Sequence, residues 1–297
     1  MIENAKSFLQ YRRAQEKKVL QLNDGTRPFD AVLTVEINIT DLCNRRCGFC
    51  PRVDPEIYPN RNVFIAEVVL DKIIADLKLA RYRGKVSFSG FGEPLLNKQF
   101  PEIIAKFRKA LPDNIVETNT NGDKFTPEIL VALFESGLSA IYWNLYDGPE
   151  QVATAESLIT AAGVDKSKIR LRAHWSEADA SSEWGLILNN RSGALSTPIK
   201  VDLPMKRSCN YPFYKLMIDW NGDVLCCSND WLRKNVIGNV MSDNIEHIWV
   251  NEQWMKFRRN LLKSDRSQHP CATCDVDGAL FGDESRKILT TFMGREP

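Results

Sequence analysis

The sequence lacks a long hydrophobic segment, and it lacks an excess of charge of either sign. No apolar stretch approaches the roughly 18 residues of a membrane-spanning helix. The acidic Glu3 near the start of the sequence is not typical of a secretory signal peptide. The 39 lysines and arginines nearly balance the 38 aspartates and glutamates, which leaves a formal net charge of +1. Such a balance offers no basic surface for nucleic acid or for an anionic membrane. We therefore expect a cytoplasmic protein with neither of these partners.

Histidine is scarce, and cysteine is unevenly spread. Three histidines occur in the 297 residues, whereas the eight cysteines form two groups with none between Cys50 and Cys209. Cysteines in a chain without a secretory segment favour metal or redox chemistry over disulfides. The length allows a large domain with a smaller one, and the gap between the cysteine groups indicates two modules. We divide the chain into a helical leader (1–30), a main domain (31–200), a cysteine-rich domain (201–282) and a C-terminal tail (283–297).

The first cysteine group is Cys43, Cys47 and Cys50, with the spacing C-x3-C-x2-C. It follows an apolar run that predicts a buried strand. Three thiolates on one short loop can hold three irons of a [4Fe–4S] cluster and leave the fourth iron open. A zinc site is the alternative, but zinc favours a closed set of four ligands. The next cysteine along the chain is Cys209, and the nearest histidine is His174.

This motif, with Phe49 as the aromatic residue before its last cysteine, resembles the signature of radical S-adenosylmethionine (radical SAM) enzymes. The resemblance implies that S-adenosylmethionine binds the open iron through its amino and carboxylate groups. One electron from the cluster would cleave the sulfonium and yield a 5′-deoxyadenosyl radical, which abstracts a hydrogen atom from a bound substrate. It also implies a flavodoxin or a ferredoxin as the electron donor.

From residue 31 onward, strand patterns alternate with helix patterns. Such alternation indicates parallel βαβ units, and the number of units fits an open barrel better than a closed eightfold one. The predicted fold class is α/β: a partial (β/α)5–6 barrel of the radical SAM type, followed by a small domain with a β-hairpin and a helix. The predicted strands are 32–39, 85–89, 114–118, 140–145 and 169–174, and residues 183–188 are either a sixth strand or part of a loop.

Polar and glycine residues follow the predicted strands, at the edge where parallel α/β folds bind ligands. The second strand runs into Gly90-Phe91-Gly92-Glu93-Pro94, and glycine lets the backbone come close to a ligand. This segment resembles the Gly-Gly-Glu-Pro motif of radical SAM enzymes, which contacts the amino group of S-adenosylmethionine, and it departs from the motif at Phe91. The resemblance also implies that Asn119 and Asn144 bind the ribose and the methionine carboxylate. Arg172 would pair with that carboxylate as a bidentate donor, or form a structural salt bridge.

The second cysteine group consists of Cys209, Cys226, Cys227, Cys271 and Cys274. Asn-Gly between two apolar runs predicts a β-hairpin within this group, and spacing alone also suits zinc. The pattern C-x12-G-x4-C resembles the opening of the SPASM domain found behind radical SAM barrels, and the lack of cysteines after Cys274 resembles its shortened twitch form. The resemblance implies one auxiliary [4Fe–4S] cluster on Cys209, Cys227, Cys271 and Cys274. Cys226 could replace Cys227, but the glycine spacing favours Cys227.

A cluster closed by four cysteines is suited to electron transfer. Hydrogen abstraction, loss of a proton to a base and uptake of an electron by this cluster amount to a two-electron oxidation. The module order resembles that of twitch-domain radical SAM dehydrogenases, so we expect oxidation of a hydroxyl on a small polar substrate such as a sugar or an aminocyclitol. Asp230, Arg172 and Arg191 are the candidate bases. The alternatives are a radical SAM enzyme that modifies a peptide and a non-catalytic metal-binding module.

Overall fold

The computed structural model describes residues 2–3, 5–174, 189–196 and 201–294. The helices are α1 (Ala5–Gln21), α2 (Glu67–Leu79), α3 (Phe100–Ala110), α4 (Pro127–Glu135), α5 (Glu150–Ala162), α6 (Tyr211–Tyr214), α7 (Ile245–Val250), α8 (Glu252–Leu262) and α9 (Asp283–Met293). None of these helices has the length and the apolar character needed to cross a membrane. The strands are β1 (Ile2–Glu3), β2 (Thr34–Ile37), β3 (Lys85–Phe88), β4 (Val116–Thr120), β5 (Ala140–Leu145), β6 (Ile169–Ala173), β7 (Lys215–Ile218), β8 (Asp223–Leu225) and β9 (Val236–Asn239). The sixth strand considered at 183–188 lies outside the described residues.

One mixed sheet runs through the described part of the chain, in the order β1-β6-β5-β4-β3-β2-β7-β8-β9. The pairings from β1 across to β7 are parallel, and the pairings of β7 with β8 and of β8 with β9 are antiparallel. Helices connect the successive parallel strands, as βαβ units require. The predicted α/β fold, a partial parallel barrel with a C-terminal hairpin, is confirmed.

Two pairings differ from the expected arrangement. The leader begins with β1, whose Ile2 pairs with Leu171 at the edge of the sheet. The hairpin strand β7 pairs in parallel with β2, with Lys215 beside Thr34, so the sheet continues from the barrel into the cysteine-rich domain. No local sequence pattern predicts either pairing, because each joins segments from distant parts of the chain.

The barrel strands bury apolar side chains on their outer face and carry polar ones on their inner face. On β2, Val35 and Ile37 are fully buried in the core between the sheet and the helices. Glu36 lies between them and points to the other face, because successive side chains of a strand alternate. There it contacts Ser89 and Lys215. The inside of the barrel is therefore polar, which suits a polar ligand.

Helix α1 of the predicted leader closes the amino-terminal end of the barrel. The ammonium of Lys85 donates to the side-chain oxygen of Gln15 at 3.0 Å, and Arg12 lies 3.7 Å from the carboxylate of Glu117. Lys85 and Glu117 are both buried and form an ion pair at 3.0 Å. A buried charge needs such partners, so the leader is held to the barrel by charge as well as by apolar contact.

The predicted C-terminal tail contains helix α9, which packs against the leader. The backbone N–H of Gly282 donates to the carboxylate of Glu16 at 2.8 Å. Leu289 of α9 is fully buried in the main core. The two ends of the described chain therefore share one side of the molecule.

Replacing Glu117 with alanine should make the protein unfold at lower urea concentration, because the ammonium of Lys85 would stay buried with no carboxylate beside it. Removing one partner of a buried pair costs about 3–5 kcal/mol in the free energy of unfolding. The exposed pair of Lys106 and Glu67 provides a matched control, Lys106→Ala, since a surface ion pair contributes about 1 kcal/mol or less. Anaerobic urea unfolding followed by circular dichroism measures both variants. Equal losses would contradict the weight given to the buried pair.

Candidate functional site

The cluster loop, residues 41–50, leaves the carboxyl end of β2 and is held against two other strand ends. The guanidinium of Arg45 pairs with the carboxylates of Asp123 and Asp147, each at 2.6 Å. Asn44 also donates to Asp123, at 2.7 Å. These acids follow β4 and β5, so the loop is fixed over the carboxyl edge of the sheet. All three cysteines of the loop are partly buried there.

Asp41 fixes the base of the cluster loop. Its carboxylate is fully buried and lies 3.1 Å from Arg52, 2.7 Å from Arg61 and 3.1 Å from Arg233. The hydroxyl of Tyr58 donates to the same carboxylate at 2.5 Å. Because Arg233 comes from the cysteine-rich domain, this one buried carboxylate connects the loop to the second half of the chain.

The thiols of Cys43, Cys47 and Cys50 line one cavity at the mouth of the barrel. Burial raises the pKa of Cys47 to about 11, so this thiol keeps its proton until a metal displaces it. The backbone N–H of Arg45 points at the sulfur of Cys43 at 3.5 Å, a contact of the kind that tunes cluster sulfurs. Among the described residues, no three metal-binding side chains converge on a single ion. A cubane cluster binds each thiolate to its own iron, and three thiols on one short loop match three of its irons.

The glycine loop, residues 90–93, follows β3 and lies against the strand end of β2. Gly90 has φ +140°, and a Cβ there would lie 2.8 Å from the Cβ of Asn38. A Cβ on Gly92 would lie 2.1 Å from the carbonyl oxygen of Thr40. The Oδ1 of Asn38 accepts hydrogen bonds from the two N–H groups that follow Gly90, at 3.0 and 3.1 Å. Both positions therefore require glycine, and the backbone there is open to the cavity.

Phe91, where the motif has glycine, is almost fully buried. Its ring centroid lies 4.8 Å from that of Trp231 and 6.1 Å from that of Tyr58. The guanidinium of Arg233 lies 4.8 Å from the same centroid. Trp231 and Arg233 belong to the cysteine-rich domain, so this motif position forms a contact between the two halves of the chain.

Glu93 lies buried in the cavity wall. Its carboxylate accepts the hydroxyl of Thr120 at 2.5 Å and the backbone N–H of Asn121 at 2.8 Å. Burial raises the pKa of Glu93 to about 7. The carboxylate therefore joins the glycine loop to the end of β4.

Polar side chains at the ends of β4, β5 and β6 contact one another. The amide nitrogen of Asn144 donates to Asn119 at 2.8 Å, and the amide oxygen of Asn144 lies 3.4 Å from Arg172 and 2.7 Å from the Nε2 of His174. Burial lowers the pKa of His174 to about 3, and its ring stacks on Tyr146 at 5.3 Å. His174 is therefore neutral, and both His174 and Arg172 contact Asn144 without lining the cavity themselves.

The cavity has a volume of about 310 Å³, which is the size of a small-molecule site. The cluster loop and the strand ends form one wall, and Asn189, Arg191 and the cysteine-rich domain form another. The predicted cofactor residues that line it are Phe49, Gly90, Gly92, Glu93, Asn119 and Asn144. Arg172 is the predicted cofactor residue that does not line it.

Of the three candidate bases, Arg191 lines the cavity, whereas Arg172 and Asp230 do not. Burial lowers the pKa of Arg191, and its Nε has no hydrogen-bond partner within the described residues. The carboxylate of Asp230 accepts the backbone N–H groups of Lys234 at 3.1 Å and Asn235 at 2.8 Å. Asp230 therefore closes its own loop, and its position gives no support to a role as the base.

A charged floor of the cavity has no sequence motif. Glu36 and Lys215 line the cavity and form an ion pair at 2.7 Å, and the hydroxyl of Ser89 donates to Glu36 at 2.6 Å. Burial by itself would raise the pKa of Glu36, but the Lys215 ammonium and the Ser89 hydroxyl outweigh it, and the pKa is lowered. The alternation of side chains along β2 is the one sequence signal that points Glu36 inward.

The second cysteine group lies beside this cavity. The cavity is lined by Ser228, which follows Cys227, and by Val276, which lies two residues after Cys274. Backbone N–H groups point at the sulfurs of Cys227 and Cys274, both at 3.4 Å. A Cβ on Gly278 would lie 2.2 Å from the sulfur of Cys209. Close backbone and N–H contacts to the sulfurs suit thiolates that hold an iron–sulfur cluster.

Arg266 holds the segments around this group in place. Its guanidinium is buried and donates to the carbonyl oxygens of Ser208 at 3.0 Å, Val276 at 2.7 Å and Asp277 at 2.7 Å. These carbonyls flank Cys209 and follow Cys274. The distant cysteines of the set are therefore brought together by one arginine.

Cys226 and Cys227 have different surroundings. Burial, followed by the nearby thiols of Cys209, Cys274 and Cys271, raises the pKa of Cys227. For the fully buried Cys226, the charged neighbours that add to burial are Cys227, Asp230 and Cys271. Cys227 is thus close to all three other cysteines of the predicted set, which supports its choice as the ligand.

Two sequence profiles match the chain. The profile of the radical SAM superfamily matches residues 37–161, and that of an iron–sulfur cluster-binding domain, SPASM, matches residues 209–275. The chain is 27% identical over 254 residues to the S-adenosyl-L-methionine-dependent 2-deoxy-scyllo-inosamine dehydrogenase of Niallia circulans. This alignment covers 81% of this chain and 92% of that protein. It is 37% identical over 122 residues to the GTP 3′,8-cyclase of Aquifex aeolicus, which covers 39% of this chain and 36% of that protein.

Solved structures share the fold. The crystal structure of BtrN in complex with AdoMet and 2-DOIA aligns with a TM-score of 0.71 and 26% identity, over 85% of this chain and 96% of that chain. Native anSMEcpe with bound AdoMet and Cp18Cys peptide aligns with a TM-score of 0.52 and 14% identity, over 87% of this chain and 96% of that chain. The second likeness concerns the fold alone.

The geometry and the comparisons agree. Three thiols and a glycine loop share one cavity, four further cysteines lie beside it, and the two matching profiles cover both sets. The alternative of a non-catalytic metal-binding module is therefore wrong. The chain contains a domain of the radical SAM superfamily over residues 37–161 and an iron–sulfur cluster-binding domain of the SPASM type over residues 209–275, and it is an enzyme that uses S-adenosylmethionine and [4Fe–4S] clusters.

Proposed function

We propose that the protein is a dehydrogenase that oxidises a hydroxyl group of a small polar substrate, such as a sugar or an aminocyclitol. The alignment with 2-deoxy-scyllo-inosamine dehydrogenase carries this proposal, because it spans 81% of this chain and 92% of that enzyme. The cavity supports it, since about 310 Å³ with polar walls suits a small polar molecule. A peptide is the other possible substrate, and a neighbour of the same fold has one bound, but no contact among the described residues favours it.

Each cysteine group would hold one cluster. Cys43, Cys47 and Cys50 would bind the cluster that receives S-adenosylmethionine, and the four-cysteine set of the domain at 201–282 would bind an auxiliary one. When bound, these groups supply a 5′-deoxyadenosyl radical that removes a hydrogen atom from carbon, and an acceptor for the electron left on the substrate. The barrel of residues 31–200 and the cysteine-rich domain would then enclose the reacting molecules between them.

The barrel side of the cavity would bind S-adenosylmethionine. The open backbone of the glycine loop, with Glu93, would receive the amino group, and Asn119 and Asn144 would receive the ribose and the carboxylate. The rings of Phe49 and Tyr146, with centroids 5.2 Å apart, offer apolar faces for the adenine. Arg172 would act through its 3.4 Å contact with Asn144.

The floor of the cavity would bind the substrate and accept its proton. Glu36 lines the cavity with a lowered pKa, so it is an ionised acceptor at neutral pH, and Lys215 holds it in place at 2.7 Å. The hydroxyl proton would pass to Glu36 as the substrate becomes a ketone. Arg191, which lines the cavity, would donate to a substrate oxygen.

A flavodoxin or a ferredoxin would supply the electron to the first cluster. Arg46 and Gly48, on either side of Cys47, are exposed. A Cβ on Gly48 would meet no atom within 4 Å. A protein donor can therefore approach the cluster loop closely from outside the barrel.

The reduced, reconstituted protein should produce 5′-deoxyadenosine when it is given S-adenosylmethionine and 2-deoxy-scyllo-inosamine that carries deuterium on the carbon to be oxidised. The deuterium should appear in 5′-deoxyadenosine, because the hydrogen atom moves directly from substrate to radical. Mass spectrometry of the nucleoside and of the ketone product measures both, and labelled sugars and aminocyclitols extend the panel. Deuterium transfer from labelled peptides, with none from any alcohol, would establish the peptide alternative instead.

Cys227→Ala/Cys274→Ala should lower the iron content of the reconstituted protein from about eight to about four per chain, since two cubane clusters hold four irons each and the auxiliary one would keep only two thiolates. Cys226→Ala/Cys274→Ala is the matched control and should keep about eight, because three thiolates can hold a cluster, as in the first cysteine group. Iron and sulfide assays after anaerobic reconstitution measure this. A loss of about four irons in the Cys226 variant, with none in the Cys227 variant, would reassign the ligand.

Glu36→Gln should slow ketone formation by about a hundredfold or more, which is the usual contribution of a general base. The amide can keep contacts with Ser89 and Lys215, but it does not take up the proton. Cleavage of S-adenosylmethionine without substrate should stay near the wild-type rate. Glu117→Gln is the control, because Glu117 is also buried beside a lysine but does not line the cavity. Similar losses of turnover in both variants would reduce Glu36 to a structural role.

A further inference from the structure

We infer that four residues, Tyr58, Phe91, Trp231 and Arg233, position the glycine loop for S-adenosylmethionine and make that position depend on the cysteine-rich domain. We call them the Phe91 cluster. The inference rests on the proposed assignment of the glycine loop to S-adenosylmethionine, and it is independent of the proposed substrate. It gives the departure of the motif at Phe91 a function in binding the cofactor.

The rings of the Phe91 cluster contact one another directly. The centroid of Phe91 lies 4.8 Å from that of Trp231, and the centroid of Tyr58 lies 5.1 Å from that of Trp231. The guanidinium of Arg233 lies 4.8 Å from the ring of Phe91 and 5.1 Å from the ring of Tyr58. Aromatic pairs and cations over rings at such distances add to the energy of apolar burial. Phe91 is therefore fixed by partners from the cysteine-rich domain.

Hydrogen bonds join the backbone N–H groups of the glycine loop to the same domain. Asn38 accepts those N–H groups and donates through its amide nitrogen to Asp219 at 2.7 Å. The carboxylate of Asp219 is fully buried and pairs with the guanidinium of Arg233. Arg233 in turn contacts Asp41 at the base of the cluster loop, at 3.1 Å. The path from the loop backbone to Arg233 is thus continuous.

The carbonyl of Phe91 is held by a further arginine. The Nε of Arg52 donates to it at 2.8 Å, and the same guanidinium donates to the backbone carbonyl of Asp41 at 2.7 Å. The N–H, the carbonyl and the ring of Phe91 therefore each have a defined partner. A shift of Arg233 would disturb two of these contacts, that of the ring and, through Asp219 and Asn38, that of the N–H, whereas a shift of Trp231 would disturb the contact of the ring. Either shift would move the loop that faces the cofactor.

The cluster also leads to the second cysteine group. Trp231 and Arg233 lie in the segment that follows β8, a few residues after Cys227. Trp231 lines the cavity together with Phe91. When the four cysteines hold their cluster, this segment is fixed at Cys227, and its hold on the glycine loop is fixed with it. The auxiliary site would thus support binding of S-adenosylmethionine without touching it.

Phe91→Gly, which restores the residue of the motif, should weaken binding of S-adenosylmethionine about tenfold, because small misplacements of binding groups carry large losses. Trp231→Leu should do the same, and Trp231→Phe, which keeps a ring, should stay near wild type. The measurements are the dissociation constant of S-adenosylmethionine for the reconstituted protein and the change in the electron paramagnetic resonance spectrum of the reduced first cluster when S-adenosylmethionine is added. Neither needs a substrate, so failure here is distinct from failure of the proposed dehydrogenase activity.

Phe107→Leu is the matched control, since Phe107 is an equally buried aromatic residue on α3 and does not line the cavity. It should lower the melting temperature as Phe91→Gly does and leave the dissociation constant unchanged. Asp219→Asn keeps every ring of the cluster and tests the ion pair of Asp219 with Arg233. This variant should also weaken binding of S-adenosylmethionine. The inference would be overturned if Phe91→Gly, Trp231→Leu and Asp219→Asn all bound S-adenosylmethionine with dissociation constants within about twofold of the wild-type value.

Discussion

The buried carboxylate of Asp41 is the constraint on which the mouth of this barrel depends. Arg52, Arg61 and Arg233 surround it at 2.7 to 3.1 Å, and they come from different segments of the chain. A buried charge is tolerated only when it is paired and hydrogen-bonded, and the loss of this carboxylate would take from three guanidinium groups the partner that they share. Asp41 lies beyond the end of β2, outside regular secondary structure. The position of the cluster loop is therefore set by the need to satisfy charges, and one of those charges belongs to the cysteine-rich domain.

The two ends of the barrel interior use the same kinds of residues in different ways. At the closed end, the pair of Lys85 and Glu117 is buried under α1 and has further polar neighbours from that helix. At the open end, the pair of Glu36 and Lys215 lines a cavity that Arg191 also lines. Satisfied ion pairs stabilise a fold, whereas groups with remaining hydrogen-bonding capacity beside a cavity can bind a ligand. This difference, and not the residue types, separates structure from site.

Local features of the sequence predict much of the fold and both sets of cysteines. The spacing of Cys43, Cys47 and Cys50 and the alternation of strands and helices are short-range patterns, so they can be interpreted without a structure. The floor of the cavity could not be predicted, because the pairing of β7 with β2 brings Lys215 beside Glu36 from the other end of the chain. Asp230 has the right chemistry for a base, but backbone groups of its own loop already occupy its carboxylate. Residue type indicates what a side chain can do, and only the contacts show what it does.

The glycine loop shows how a motif can change at one position and keep its geometry. The two outer glycines have no space for a Cβ, since the backbone or side chains of β2's strand end lie within 3 Å of that position. The position between them faces away from this contact, toward Trp231 and Arg233, so a large side chain there does not disturb the turn. Glycine would leave the backbone with more freedom to lose on binding, whereas Phe91 reduces that freedom before the ligand arrives. A phenylalanine at this position is useful only where a second domain supplies partners for its ring, so the motif and the cysteine-rich domain of this protein must be understood together.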